Sequence, residues 1–354
     1  MERIFVINPG ATSTKIAVFD GDKPLLKKTV EHHGDELKEF KRIFDQKQYR
    51  MDLIVRTLSE ERIALHSLNA IVGRGGLMKH LDSGTYKVNA LMVDDLENQP
   101  QGEHASNLGA ALAYDLSQKL AIPAFIVDPV SVDEMEQVAR ISGFPEIQRI
   151  SMSHALNMKA VARKVASEMG KKYEDVTLVV AHLGTGISVS AHYGGRMIDT
   201  IDGKDEGPFA PDRCGGLPAY QLVKLCYSGK YTLQEMRDKL FGSGGLYGYL
   251  GTKDIRQVEQ MADTGDEKAK LILQAFVYQV AKEIGAMSTV LYGAVDGIIL
   301  TGGIAYSNRI VNDISQRVRS IAKVVVVPGE DEMESLASGA LRVLRGEETA
   351  KIYQ

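Results

Sequence analysis

A short strand, a turn built of Gly, Thr and Ser, a second strand, a Gly turn and a third strand occur twice along this chain. Each set is later followed by an apolar strand that runs into paired glycines. In the first half the strands are expected over residues 3–8, 15–20 and 24–31, separated by Pro9-Gly10-Ala11-Thr12-Ser13 and Gly21-Asp22. Apolar runs bounded by turn residues mark them as strands. Charged sequence of helical period fills 36–63. The strand 70–72 then ends in Gly73-Arg74-Gly75-Gly76, and a helix over 108–120 precedes a buried strand, 124–127, closed by Asp128-Pro129. The second half repeats the order: strands at 177–182, 187–193 and 196–202, with Leu183-Gly184-Thr185-Gly186 and Gly194-Gly195 between them. A long helix over 268–291, a strand at 297–300 ending in Thr301-Gly302-Gly303-Ile304, a strand at 324–327 and a helix over 332–344 complete it. Such a repeat means two related α/β domains facing one another across a cleft. The expected boundary lies near 144–150, where Gly143 and Pro145 interrupt the pattern. That gives domains 1–148 and 149–330, with 331–354 packing back on the first.

The chain's 354 residues suit two domains of ordinary size. A net charge of −4 with scattered Lys and Arg offers no basic face, so nucleic acid is not an expected partner. No apolar run reaches bilayer length and residues 1–10 lack signal-peptide anatomy, so no membrane partner and a cytoplasmic location are expected. Cys214 and Cys226 are too few for a disulfide framework or a zinc site.

The turns carry the chemistry. In Asn8-Pro9-Gly10-Ala11-Thr12-Ser13-Thr14-Lys15, small residues leave backbone N–H groups and hydroxyls open to a phosphate, and Lys15 adds a positive charge. The spacing is not that of a Walker A loop, because a strand follows rather than a helix. His182-Leu183-Gly184-Thr185-Gly186-Ile187-Ser188 is the same device in the second half. Gly302-Gly303 closes a buried strand where backbone can approach a base or ribose. Taken singly each is an ordinary turn; together, in a duplicated frame, they point to a nucleoside triphosphate gripped from both sides.

On these residues the chain resembles the acetate and butyrate kinase family of the actin-like (ribonuclease-H-like) ATPase superfamily. The resemblance adds Gln101-Gly102-Glu103-His104, Ser153-His154, Asp212-Arg213-Cys214-Gly215-Gly216 and Thr252-Lys253-Asp254-Ile255-Arg256, and spans essentially the whole chain. Thr185 stands where acetate kinases carry Asn. That substitution, the Glu206-Gly207-Pro208-Phe209 run and the shorter length resemble the butyrate kinase branch. The implied reaction is ATP-dependent phosphorylation of butyrate, with acetate, propionate or branched-chain acids as alternatives. An actin-like regulatory ATPase is the alternative of a different class.

A carboxylate is already ionised at pH 7, so such a reaction needs no general base. It needs cations and positioning. Arg74, in its glycine frame at a strand end, is expected to pair with the substrate carboxylate. By resemblance Arg213 and His154 serve the transferring phosphoryl group, His104 lies near the substrate, and His182 orients the phosphate turn. Asp128, at the C-terminal edge of a strand where α/β sheets bind ligands, is placed by resemblance near substrate and metal. Glu332 aligns with a family metal-site glutamate, with Glu334 left open. Asn8, Ser13 and Lys15 with Gly184, Thr185 and Gly186 are implied on the phosphate side, and Asp254 and Arg256 at the adenosine end. Mg²⁺ is expected with ATP, and the family implies a homodimer or higher homo-oligomer.

Overall fold

The computed structural model describes residues 2–98, 102–201 and 203–354. Gln101, and Asp202 at the end of the strand expected over 196–202, lie outside the described residues. The repeated pattern becomes two sheets of related topology. In the first, β1 (Arg3–Pro9), β2 (Ser13–Asp20) and β3 (Lys23–Glu31) form an antiparallel meander. On its other side β1 pairs in parallel with β4 (Ala70–Gly73), and β4 in parallel with Ala124–Val127. That last strand is β6, since the three-residue strand β5 (Thr85–Lys87) precedes it. In the second sheet β7 (Leu178–Leu183), β8 (Ile187–Tyr193) and β9 (Arg196–Thr200) form the meander, and β7 pairs in parallel with β10 (Gly297–Gly302), then β10 with β11 (Val324–Pro328). The orders β6-β4-β1-β2-β3 and β11-β10-β7-β8-β9 therefore match. The first sheet adds β5 and the C-terminal β12 (Lys351–Ile352) at its edge.

Burial explains the strand sequences. Ile4, Phe5, Val6 and Ile7 of β1 are wholly buried, as are Leu178, Val179, Val180 and Ala181 of β7, so these central strands read as continuous apolar runs. β3, at the edge, carries Lys23, Lys27 and Lys28 and is mostly exposed, the charged rim that keeps an open strand from pairing with another chain. Within the first unit the helices Asn107–Leu120 and Glu332–Leu344 pack on β4, β6 and β1. Within the second, Glu267–Val290 packs on β7 and β8, and Ala155–Glu168 on β7 and β10.

The two compact units are Met1–Val132 with Asp331–Gln354, and Asp133–Glu330. The division precedes the boundary read at 148/149 for a definite reason. Glu134 forms a 2.6 Å ion pair with the fully buried Lys159 and accepts from Met197 N at 2.9 Å, and Glu136 N donates to Ile198 O. The segment from Asp133 on is thus tied to β9 and to the helix Ala155–Glu168. The charged stretch expected as helix over 36–63 breaks into Gly34–Leu37, a single 3-10 turn at Phe44–Gln46 and the helix Lys47–Glu60.

Candidate functional site

In the first unit the structure joins Asn8, Arg74 and Glu332. Asn8 sits at the end of β1, buried, and Arg74 follows β4, the parallel neighbour of β1. Glu332 opens the helix Glu332–Leu344. Arg74 Nη1 pairs with Glu332 Oε1 at 2.9 Å and donates to Asn8 Oδ1 at 3.3 Å, while Asn8 Nδ2 donates to Glu332 Oε2 at 2.8 Å. Only Nη1 of Arg74 is engaged among the described residues, and the side chain is 36% exposed. Its other edge can take a carboxylate in a two-pronged bond. The glycine frame has a steric cause. A Cβ on Gly73 would lie 2.1 Å from Gly109 O, and one on Gly75 would lie 2.5 Å from Pro129 Cβ. The strand end thus packs directly against the helix Asn107–Leu120 and the Asp128-Pro129 corner.

Asp128 is buried with a left-handed backbone, φ 38°. Its Oδ1 accepts from Ser83 Oγ at 2.5 Å and Gly84 N at 2.7 Å, which holds the corner between β6 and β5. His104 is exposed, and its Nδ1 lies 2.8 Å from Ser106 Oγ. Asn107, whose Oδ1 accepts from Leu77 N and whose Nδ2 donates to Gly102 O, ties the His104 loop to the segment after Arg74. Lys15 is exposed and stands opposite Asn8 across the β1–β2 ladder, beside the first turn. Ser13 O accepts from Gly10 N at 2.7 Å and closes that turn.

The second unit gathers His154, His182, Arg213 and the Gly184–Gly186 turn. His182 on β7 stands opposite Ser188 on β8, so both face the same side of the sheet. Ser188 Oγ lies 2.9 Å from His154 Nδ1, and the two imidazole rings stack with centroids 3.8 Å apart and planes within 10°. Asn157 fixes the tautomer of His182. Its Nδ2 donates to Glu330 O at 3.1 Å, so its Oδ1, 2.8 Å from His182 Nδ1, must accept, and Nδ1 carries the proton. His182 Nε2 then faces Glu330 Oε1 at 3.4 Å. Arg213 donates to Gly203 O at 3.1 Å. A Cβ on Gly186 would come within 2.5 Å of Arg213 Nη1 and 3.2 Å of His154 Cε1, so the turn must be glycine there for these side chains to lie over it. Thr185 is exposed at the tip.

A family model described as the acetokinase family matches residues 147–334, more than half of the chain. The chain belongs to the acetokinase family. Solved structures repeat its fold. The acetate kinase of Porphyromonas gingivalis has a TM-score of 0.78 at 17% identity, over 97% of this chain and 100% of that one. A propionate kinase from Francisella tularensis subsp. tularensis SCHU S4 gives 0.73 at 20% identity, over 96% and 99%. The acetate kinase of Entamoeba histolytica gives 0.75 at 16%, over 96% and 98%. The architecture is thus the mixed α/β, actin-like ATPase fold of these acetokinases, with a sheet in each of its two units.

Other residues singled out in the sequence have local roles. Asp254 caps the helix Ile255–Asp263, accepting from Arg256 N at 2.9 Å and from the Arg256 guanidinium at 2.7 and 3.0 Å. Those bonds hold its carboxyl below the ordinary value. Gly302, at φ 88°, ends β10 against Leu183 O, and Gly303 opens a 3-10 turn with free space above it. Among the described residues no three His, Cys, Asp or Glu side chains gather as a metal cage. Of the two carboxylates expected at a metal, Glu332 has both oxygens engaged by Arg74 and Asn8, and the buried Asp128 accepts from Ser83 and Gly84. Both are oxygen donors of the kind that suits Mg²⁺ carried in by nucleotide phosphates with few protein ligands. Sequence reasoning missed Asn157, and also Arg50, which lies under the first turn.

Proposed function

We propose that the chain transfers the γ-phosphoryl group of ATP to the carboxylate of a short fatty acid, butyrate in the first place, giving butyryl phosphate and ADP. Family membership supports the reaction class, ATP-dependent phosphorylation of a carboxylate. The observation that carries the reading is Arg74, part-exposed in a packed glycine frame, with one nitrogen held by Asn8 and Glu332 and the other edge open. In this role it binds and orients the acid through paired charge-assisted bonds. A carboxylate oxygen attacks the γ-phosphorus in line as the bond to the bridging oxygen of ADP breaks. The acceptor is already ionised, so no proton need be removed.

What the protein supplies is positive charge and fixed geometry. Arg213 and His154, held over the Gly184–Gly186 turn, take the charge spreading over the phosphoryl oxygens. His182, its tautomer set by Asn157, braces His154 through the ring stack. Asn8, Ser13 and Lys15 at the first turn, and the amides of Gly184, Thr185 and Gly186, are the phosphate contacts of this reading. Gly302 and Gly303 leave backbone open to the nucleoside, Asp254 and Arg256 stand at its adenosine end, and His104 flanks the acid. Glu332 and Asp128 would hold Mg²⁺, which when bound neutralises phosphate charge. The preference for butyrate rests on Thr185 in place of Asn and on the Glu206-Gly207-Pro208-Phe209 run. One methylene discriminates by only about 1–3 kcal/mol in an apolar pocket, so propionate, acetate and branched acids are the competing substrates.

Hydroxamate formation with Mg-ATP across acetate, propionate, butyrate, isobutyrate and isovalerate tests the reading. A maximum at butyrate is expected. A maximum at another acid keeps the mechanism and changes the substrate. Tight ATP binding with no acyl product from any acid would contradict it and favour a regulatory ATPase.

A further inference from the structure

The helix Lys47–Glu60 buries one charged side chain entirely: Arg50 has no exposed surface. Its guanidinium donates to Gly10 O at 2.8 Å, Ala11 O at 3.1 Å, Ser13 O at 3.3 Å and Thr14 Oγ1 at 3.2 Å. Nε and Nη2 donate to Gln46 Oε1 at 3.0 and 2.8 Å. Every one of these acceptors is neutral, and no carboxylate pairs with Arg50 among the described residues. Around the same point His32 Nε2 meets Thr14 Oγ1 at 2.8 Å, and Tyr49 OH is turned to Glu36. A buried cation without a counter-ion is costly. A Leu or Met at this position, in helical phase with Ile54, Thr57 and Leu58, would fill the space without that cost.

The clamp also shapes the turn. Three carbonyls of Gly10–Ser13 point at the guanidinium, whereas the N–H groups of Ala11 and Thr12 have no acceptor among the described residues, and both residues are exposed. Adjacent outward amides are the donors that anion-binding turns use.

We propose that Arg50 is a positioning residue for phosphate binding on the first turn. It draws the turn's carbonyls inward so that the Ala11 and Thr12 amides face out. Its uncompensated charge is balanced when the phosphate groups of the nucleotide occupy the turn. This rests on the reading of the chain as an ATP-using kinase, and it adds to that reading a residue outside every turn recognised in the sequence.

The test uses the full chain with R50Q, R50K and A11P, measuring melting temperature, MgADP affinity by calorimetry, and KM for MgATP and for butyrate. R50Q and A11P are expected to weaken MgADP and raise KM for MgATP by about 10- to 100-fold, as for loss of a charge-assisted bond. KM for butyrate should stay within about twofold of wild type (less than about 0.4 kcal/mol). R50K, which keeps the charge, should retain most of the nucleotide affinity. R50Q and R50K melting lower together with MgADP affinity unchanged would make Arg50 a brace only and overturn the proposal. If R50Q does not fold, A11P decides, because it removes one outward amide and leaves Arg50 intact; unchanged affinity there overturns the proposal as well. A wild type that binds no MgADP would sink the kinase reading and the proposal together. A wild type that binds, with A11P and R50Q unaffected, sinks the proposal alone.

Discussion

The two turns that open the two sheets share a grammar and differ in what supports them. Beneath the β1–β2 turn lies a single buried cation, Arg50, bonded to backbone carbonyls and fixed by the neutral partners Gln46 and Thr14. Against the β7–β8 turn lie side chains that are themselves suited to chemistry: stacked His154 and His182, and Arg213 at the surface of Gly186. The first turn is a rigid rim with its charge hidden below. The second is a thin glycine platform that exists so that cations can lie over it. On the function proposed above, the first turn would hold phosphate and the second would stabilise the phosphoryl group in transit.

The largest test of that difference is at the second turn. R213A and H154A are expected to lower kcat by ~10²–10³, the scale for removing a donor from developing charge, while KM for MgATP changes little. An effect of that size appearing as a raised KM for MgATP with kcat unchanged would erase the distinction between the turns. G186A should follow, with kcat reduced by roughly 10² through displacement of the Arg213 and His154 side chains. Its melting temperature should barely move, since the atom displaced is the end of a flexible side chain. A change in the first turn, G10A, meets Ser13 O at 3.3 Å and Ser13 Oγ at 3.8 Å and should be nearly silent in kcat. Equal effects would break the comparison.

N157L, which leaves His182 Nδ1 without its acceptor, is expected to cost about tenfold in kcat, and N157D, which keeps an acceptor, should recover part of it. Steady-state kinetics of the pair check this. The smallest effect concerns His32, beside the first turn. Burial, and then the Arg50 charge, lower its pKa from 6.5 to about 4. The folded chain favours the neutral ring, so the unfolded chain binds more protons between about pH 4 and 6.5 and stability falls as pH drops through that window. H32Q should flatten that part of a melting-temperature profile against pH. An unchanged slope would mean that other groups set it.

Much of this was legible in the residues. Both meanders and the glycine-closed strands β4 and β10 follow from apolar runs and turn chemistry. Asn8, Arg74, His154 and His182 were named singly, whereas the bond of Arg74 to Asn8 and the stacking of His154 on His182 emerge only in the structure. Arg50 was not legible as a site residue, because it sits in a charged stretch where one more arginine carries no signal. Its only mark is that it falls in phase with the buried Ile54, Thr57 and Leu58. Asn157 was hidden likewise, inside the helix Ala155–Glu168. β5 was too short for period to reveal, and it forms because Asp128 anchors Ser83 and Gly84 beside β6. The compact units divide after Val132 rather than at the Gly143 and Pro145 punctuation, because the chain is tied to β9 by Glu134, a buried acid that composition cannot flag.

The central claim is that phosphoryl transfer ends on a carboxylate. The direct measurement is stoichiometry: ADP released and acyl hydroxamate formed, in the same reaction of the wild-type chain with Mg-ATP, with and without butyrate. The account predicts one hydroxamate for each ADP and negligible ADP without the acid. ADP released at the same rate whether or not butyrate is present, with no hydroxamate, would contradict it.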